Sequence, residues 1–239
     1  MIYDFGTFEN KLKKLNLILT NEMKEQFSVY CDLLIEWNKK MNLTAITEFE
    51  EVMDKHFLDS AALGNYLQLA KQETLLDLGT GAGFPGIPLK IIFPHLNVLL
   101  ADSLNKRVHF LQEVIRQLNL QDISAVHGRA EDLAHQSAYR EHYDLCVSRA
   151  VAHLSVLSEY CLPFVKTKGL FVGYKTAGVQ EEVVQAEKAI QILGGKLRGV
   201  EEFQLPETEY TRSFVFIEKV KRTPKKYPRK AGTPGKEPL

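Results

Sequence analysis

Three cysteines in 239 residues leave little scope for covalent cross-linking. Cys31, Cys146 and Cys161 are far apart and show no CxxC spacing, which excludes a disulfide framework and a cysteine-built zinc site. They read as small buried hydrophobes of a reduced, cytoplasmic protein. No apolar run approaches the ~18 residues of a membrane span. The N-terminal MIYDFGTFENKLKKLNL carries acidic residues and lacks a continuous apolar stretch, so no secretory signal is expected. His56 has no HxxxH or HExxH partner and the other histidines are scattered, so no metal is expected. Net charge is missing too: 30 basic side chains balance 30 acidic ones.

That neutrality conceals a division. Residues 219–239 hold eight basic side chains and one acidic one, leaving 22 basic against 29 acidic in the rest. Pro224, Pro228, Pro234 and Pro238 predict that this tail neither prolongs the last strand nor forms a helix. Two readings stay open from composition: a solvated, disordered segment, or a tethered polycation that meets phosphate.

What is present has the texture of an ordinary globule, 45% apolar and 25% charged, long enough for one domain with an appendage. Residues 1–70 read as a helical extension. From Phe27, the apolar Tyr30, Leu34, Trp37 and Met41 recur at helical spacing, and Thr47 with Glu50 resembles a capping box. Residues 71–220 then alternate strands and helices. Strands fit at 74–78, 96–101, 122–126, 143–147 and 169–175; Val108, Leu111, Ile115 and Leu118 mark one helix, and Val179, Val183, Ile190 and Leu193 another. Strands at 197–205 and 212–219 have no helix between them and should pair antiparallel. The fold class is α/β: a Rossmann-like open sheet, mostly parallel, closed by an antiparallel hairpin. Residues 221–239 form the basic, proline-rich tail.

The stretch LLDLGTGAGFPGIPLKI places Asp77 and then Gly79, Gly81 and Gly83 at the carboxyl end of the first strand, where such sheets bind ligands. Glycine there permits positive φ and close ligand approach. The spacing Gly81-x-Gly83-x-x-Gly86 also satisfies the dinucleotide pattern, so a NAD-dependent oxidoreductase is not excluded by the glycines. Asp102, about 20 residues on, can accept ribose hydroxyls of either cofactor. Asp77 would repel a pyrophosphate and suits a cationic ligand. Glu131 and Asp132 add acceptors near an adenine amino group, and the terminal hairpin is unlike a dinucleotide dehydrogenase. The residues therefore favour S-adenosylmethionine. A non-catalytic RNA-binding factor on the same fold would not need this constellation.

Substrate signatures are mostly absent. Neither Cys146, in a strand, nor Cys161, in a helix, suits attack on a pyrimidine ring. After the fourth strand the sequence reads VSRAVAHL, with Arg149 where exocyclic-amine methylation commonly shows Asn or Asp before Pro-Pro-aromatic. Guanine N7 presents a free lone pair and needs alignment rather than a general base.

Seven blocks in order, WNKKMNLTAI, HFLDS, LLDLGTGAGFPGIPLKI, DSLNKRVHFL, HGRAED, SRAVAHLSVL and TPKKYPRKAGTPGK, cover nearly the whole chain. Together they resemble the bacterial 16S rRNA guanine-N7 methyltransferase family, once called glucose-inhibited division protein B. Lys175 is followed by Thr176-Ala177 where many members carry glycine. The resemblance implies a class I S-adenosylmethionine-dependent fold, and methylation of one guanine in a small-subunit rRNA loop near the decoding site. It implies cofactor contacts from Gly79 and Phe84, from Asp102, Ser103 and Leu104, and from Ala130 and Glu131. Arg149 would order the methionine arm or the target base. His56, which shares a helix face with Asp59 and Ser60, is a second catalytic candidate. The partner would be 16S rRNA or the small-subunit particle, met by a monomer. Lys39, Lys40, Lys106 and Arg107, with Lys225, Lys226, Arg229 and Lys230 of the tail, would contact phosphate, and Tyr227 would stack on a base. On this reading, deleting residues 221–239 weakens RNA binding and spares the cofactor.

Overall fold

The TLLDL run, Thr74–Leu78 (β1), is buried from its second residue onward, as a strand covered on both faces must be. It pairs in parallel with Asn97–Asp102 (β2) on one side and Tyr143–Arg149 (β4) on the other. Ile123–His127 (β3) continues the sheet beyond β2, and Val165–Thr176 (β5) continues it beyond β4, both parallel. Thr211–Lys219 (β7) then runs antiparallel between β5 and Gly195–Gln204 (β6), which forms the edge. The strand order β3-β2-β1-β4-β5-β7-β6 matches the predicted hairpin-closed sheet. Strand order reverses between β1 and β4, so a ligand crevice is due at their carboxyl ends. The computed structural model describes residues 3–149 and 151–239. Met1, Ile2 and, inside the SRAVAHL block, Ala150 lie outside the described residues.

Side-chain alternation along the strands divides the core in two. Leu75, Val98, Leu145 and Leu170 face one cluster, while Leu76, Cys146, Phe171 and Ile217 face the other. The first is covered by the N-terminal helices Gly6–Lys14 (α1) and Asn21–Met41 (α2). Also on it lies a continuous run of Phe49–Val52 (α3), π-helical Met53–Leu58 and Asp59–Ala61 (α4), then Leu63–Tyr66 (α5). Gly86–Ile92 (α6) and Asn105–Gln117 (α7) complete that face, with Trp37 of α2 against Phe110 of α7 at 5.6 Å between ring centres. Phe27, Tyr30 and Leu34 of α2 are fully buried, each contributing about 2 kcal/mol. The Tyr30 hydroxyl donates to Ala82 O, tying α2 to the glycine turn. Thr47 and Glu50 do not form a capping box: α3 opens after Glu48 without a side-chain cap.

Ala130–Leu133 (α8) follows β3, and the second cluster is covered by Leu154–Cys161 (α9) and Gln180–Ile192 (α10). The tail joins it, which corrects the reading of a solvated, helix-free segment. Tyr227 is buried in this cluster, Arg229 pairs with fully buried Glu159, and Thr233–Lys236 (α11) forms one helical turn. Proline is tolerated at the start of that turn because no hydrogen-bonded donor is lost there. A carboxylate as buried as Glu159 requires a paired cation, which the tail supplies. Among the described residues, no helix is long and apolar enough to cross a membrane.

Candidate active site

Asp77, next to last in β1, is buried inside the protein and does not line the cleft beside the glycine turn. Its Oδ2 accepts from the Thr80 hydroxyl (2.6 Å) and the Gly86 N–H (2.7 Å), fixing both ends of the turn. Its Oδ1 is buried with no hydrogen-bond partner among the described residues, and burial raises its pKa to about 6. Gly79, Gly81 and Gly83 all have positive φ. A Cβ on Gly83 would strike Ile87 and the Tyr30 hydroxyl, whereas a Cβ on Gly81 would meet nothing within 4 Å among the described residues. The turn is therefore packed from below at Gly83 and open at Gly81.

Asp102 closes β2 and orders the turn from the side. Its Oδ2 accepts from Gly81 N–H and its Oδ1 from Leu104 N–H, both at 2.9 Å. Arg107 approaches the same carboxylate at 3.4 Å, so this side chain is partly engaged within the protein. Beside the turn lies a cleft of about 210 Å³ whose lining includes Gly79, Asp102, Ser103, Ala130 and Glu131. The sequence placed these residues at a cofactor site, and the fold brings them together. It missed Tyr160 of α9 and Gly232 of the tail, which also line the cleft. Leu104 contributes its backbone and leaves its side chain exposed. Asp77, Gly81, Gly83, Phe84, Leu104 and Arg149 are not among the lining residues of this cleft.

These residues fit S-adenosylmethionine. Two buried carboxylates face a nucleoside-sized space, an orphaned carboxylate oxygen lies beneath the turn, and Gly81 leaves room for close approach. Ribose hydroxyls and an adenine amine are donors, and the sulfonium and ammonium are cations, so acceptor-rich walls match them.

A second cavity, about 490 Å³, is lined by Lys55, His56, Asp59, Arg149, Lys175 and Arg212, among others. Arg149 lines this cavity and, two residues on, Val151 lines the cleft, so the carboxyl end of β4 stands between the two. Asp59, itself buried, joins two cations: its Oδ2 accepts from Arg149 at 2.7 Å and its Oδ1 from Arg212 at 2.9 Å. Phe84 does not line the cavity itself but packs against two residues that do. The His56 ring stacks on it at 4.4 Å, and the Arg149 guanidinium lies 5.1 Å from its centre. His56 Nε2 is 2.8 Å from the Thr44 hydroxyl. Burial, and secondarily Arg149, lower the His56 pKa to about 3, so the ring is neutral near pH 7. Ser60 does not join His56 and Asp59 in the cavity. It is buried, with its hydroxyl donating to His56 O.

Arg212 had no role in the sequence reading. Its signal was available only through pairing: antiparallel register sets it opposite Thr176 at the end of β5. Asp59 was visible in HFLDS, but its two arginine partners lie 90 and 153 residues away. Lys39, Lys40, Lys106, Lys225, Lys226 and Lys230 are exposed, while Tyr227 is buried and Arg229 is committed to Glu159. Tyr227 is therefore no free stacking platform, because its ring packs in the core. Among the described residues, no group of His, Cys, Asp and Glu could hold a metal ion.

Residues 23–211 match the family model described as rRNA small subunit methyltransferase G. The chain belongs to this family. It is 56% identical over 236 residues to ribosomal RNA small subunit methyltransferase G of Lachnoclostridium phytofermentans, covering 99% of this chain and 98% of the relative. Identity to the Bacillus licheniformis member is 50%, covering 97% of each. Among solved structures, the fold is similar to a mutant of MtNAS in complex with S-adenosylmethionine. That likeness has a TM-score of 0.55 and 16% identity, over 91% of this chain and 84% of the other. It is also similar to M. jannaschii TYW2 in complex with AdoMet (TM-score 0.51, 15% identity, 62% and 70% covered). At these identities the structures show the fold alone, and the family match carries the methyltransferase assignment.

Proposed function

We propose that the chain methylates N7 of a single guanine in 16S rRNA, using S-adenosylmethionine held in the cleft while the second cavity receives the base. It acts as a cytoplasmic monomer on free 16S rRNA or on the small-subunit particle. One observation carries the reading: two adjoining cavities of opposite character meet at the carboxyl end of β4. In the cleft, Asp102 and Glu131 outnumber Arg129; in the cavity, four basic side chains outnumber Asp59 and Glu182. A cationic cofactor suits the first and a polyanionic substrate the second.

When bound, the cofactor supplies an electrophilic methyl group. The N7 lone pair is the nucleophile and carries no proton, so no general base is required. The work left to the protein is alignment and exclusion of water. Asp59 holds Arg149 and Arg212 in fixed planes, where their donors can meet base and phosphate oxygens. His56 is neutral and stacked, and serves as a positioning surface rather than a proton carrier. Lys39, Lys40, Lys106 and the exposed tail lysines supply phosphate contacts that set register.

Methyl transfer from labelled S-adenosylmethionine to small-subunit rRNA from cells lacking this protein tests the reading, with free rRNA and particle in parallel. Stoichiometric 7-methylguanosine at one loop position is expected. Label in any other nucleoside would overturn the substrate. An Arg149→Ala protein that methylates at the parent rate would remove Arg149 from the active role.

A further inference from the structure

The tail does more than pack on the body. Its path is fixed at successive points: the Thr223 hydroxyl donates to Leu193 O, and Arg140 donates to Thr223 O and Tyr227 O. Tyr227 is buried, and Arg229 meets Glu159 with both its backbone N–H and its guanidinium. The chain is thereby delivered to Gly232, whose φ of +82 turns its N–H onto Glu131 Oε1 at 2.9 Å. Gly232 lines the cleft together with Glu131 and Tyr160. Lys225, Lys226, Lys230 and Lys236 remain exposed. All these tail residues lie beyond residue 211, where the match to the family model ends, although the alignment to the Lachnoclostridium relative covers 99% of the chain.

We infer that residues 229–236 are a structural wall of the cofactor site, closing its adenine end by holding Glu131 through the Gly232 amide. The inference rests on S-adenosylmethionine as the occupant of the cleft. It reverses the expectation that the tail can be removed without touching cofactor affinity. The physical reason is geometric. Glu131 sits on a four-residue helix with a buried side chain, and the Gly232 N–H is the partner that fixes its carboxylate. A carboxylate released from that donor turns to solvent and no longer offers its acceptors at a set position.

Equilibrium binding of S-adenosylmethionine, and separately of adenosine, to three proteins tests this. They are the full chain, a chain ending at Lys230, and Lys225→Gln/Lys226→Gln, both outside the wall. The shortened chain keeps the Tyr227 and Arg229 anchors, and its thermal midpoint checks that the body is intact. Both ligands should bind it about tenfold more weakly, consistent with loss of one charge-assisted hydrogen bond. The lysine variant should bind both as the full chain does while losing affinity for RNA. Parent affinity in the shortened chain overturns the wall. If that chain does not fold, hydrogen exchange of the Gly232 amide in the full protein decides: slowing with saturating cofactor supports the wall, and no change overturns it. A full chain that binds neither ligand would instead overturn the cofactor assignment.

Discussion

The cleft and the second cavity adjoin, yet they are built by different means. The cleft is largely a backbone site. Three glycines with positive φ shape the turn, Asp77 and Asp102 grip its amides, and β1 and β2 supply the frame. The cavity is a side-chain site, assembled around Asp59 from α4, β4 and β7. A backbone site tolerates little change at the turn but degrades gradually at its rim. A side-chain site hinges on the one residue that holds the others together.

Asp59→Ala gives the largest expected effect. Arg149 and Arg212 would lose their shared partner and repel one another, with turnover falling about 100-fold through misplacement. S-adenosylmethionine affinity should stay within about twofold of the parent by calorimetry. Equal loss of both would merge the two sites into one and break the comparison.

Asp102→Asn probes the other side. It keeps shape but removes the charge that faces the turn and lines the cleft, so cofactor affinity should drop about tenfold if the cleft holds the ribose as proposed. RNA affinity, measured by filter binding without cofactor, should hold. A smaller but diagnostic contrast lies within the turn. Gly83→Ala meets Ile87 and Tyr30 and should cost about 1–3 kcal/mol of stability in denaturant melts. Gly81→Ala meets nothing and should cost about 1 kcal/mol from its positive φ, while cofactor binding suffers at that open position.

In pH dependence the two sites oppose one another. His56 is drawn from 6.5 down to about 3, so the unfolded chain takes up its proton first. Its contribution to stability is complete above about pH 6.5 and is lost as pH falls toward 3. Asp77 is raised from 3.8 to about 6, so its contribution is present below 3.8 and is lost as pH rises through 6. His56→Gln should therefore lose about 3 kcal/mol less stability than the parent between pH 7 and 4. Matching pH profiles by thermal melts would show that the ring is not held neutral by the fold.

The same contrast explains what could be read in advance. Strands β1 to β5 and the glycine turn were legible because their determinants are contiguous: apolar runs of strand length, then glycines where φ must be positive. Asp102 and Glu131 followed because each ends or follows a strand at a spacing the fold imposes. Thr47 and Glu50 misled because capping spacing is short and common, and the helix chose Glu48 as its boundary instead. The tail misled more. Proline count and charge describe how a segment behaves alone, but buried Glu159 and the packing of Tyr227 override both.

By itself, the sequence determined the alternating α/β architecture, the antiparallel closing hairpin, the acidic glycine turn and the family to which the chain belongs. These depend on local periodicity and on residues within about one supersecondary unit of each other. Only the tertiary structure decided that Asp59 clamps Arg149 and Arg212, that His56 is neutral, and that the tail forms a wall. Each of those joins groups 70 or more residues apart or depends on burial. Distance in the chain carries no information about a contact until the sheet has set its register, and burial does not exist until the core has closed.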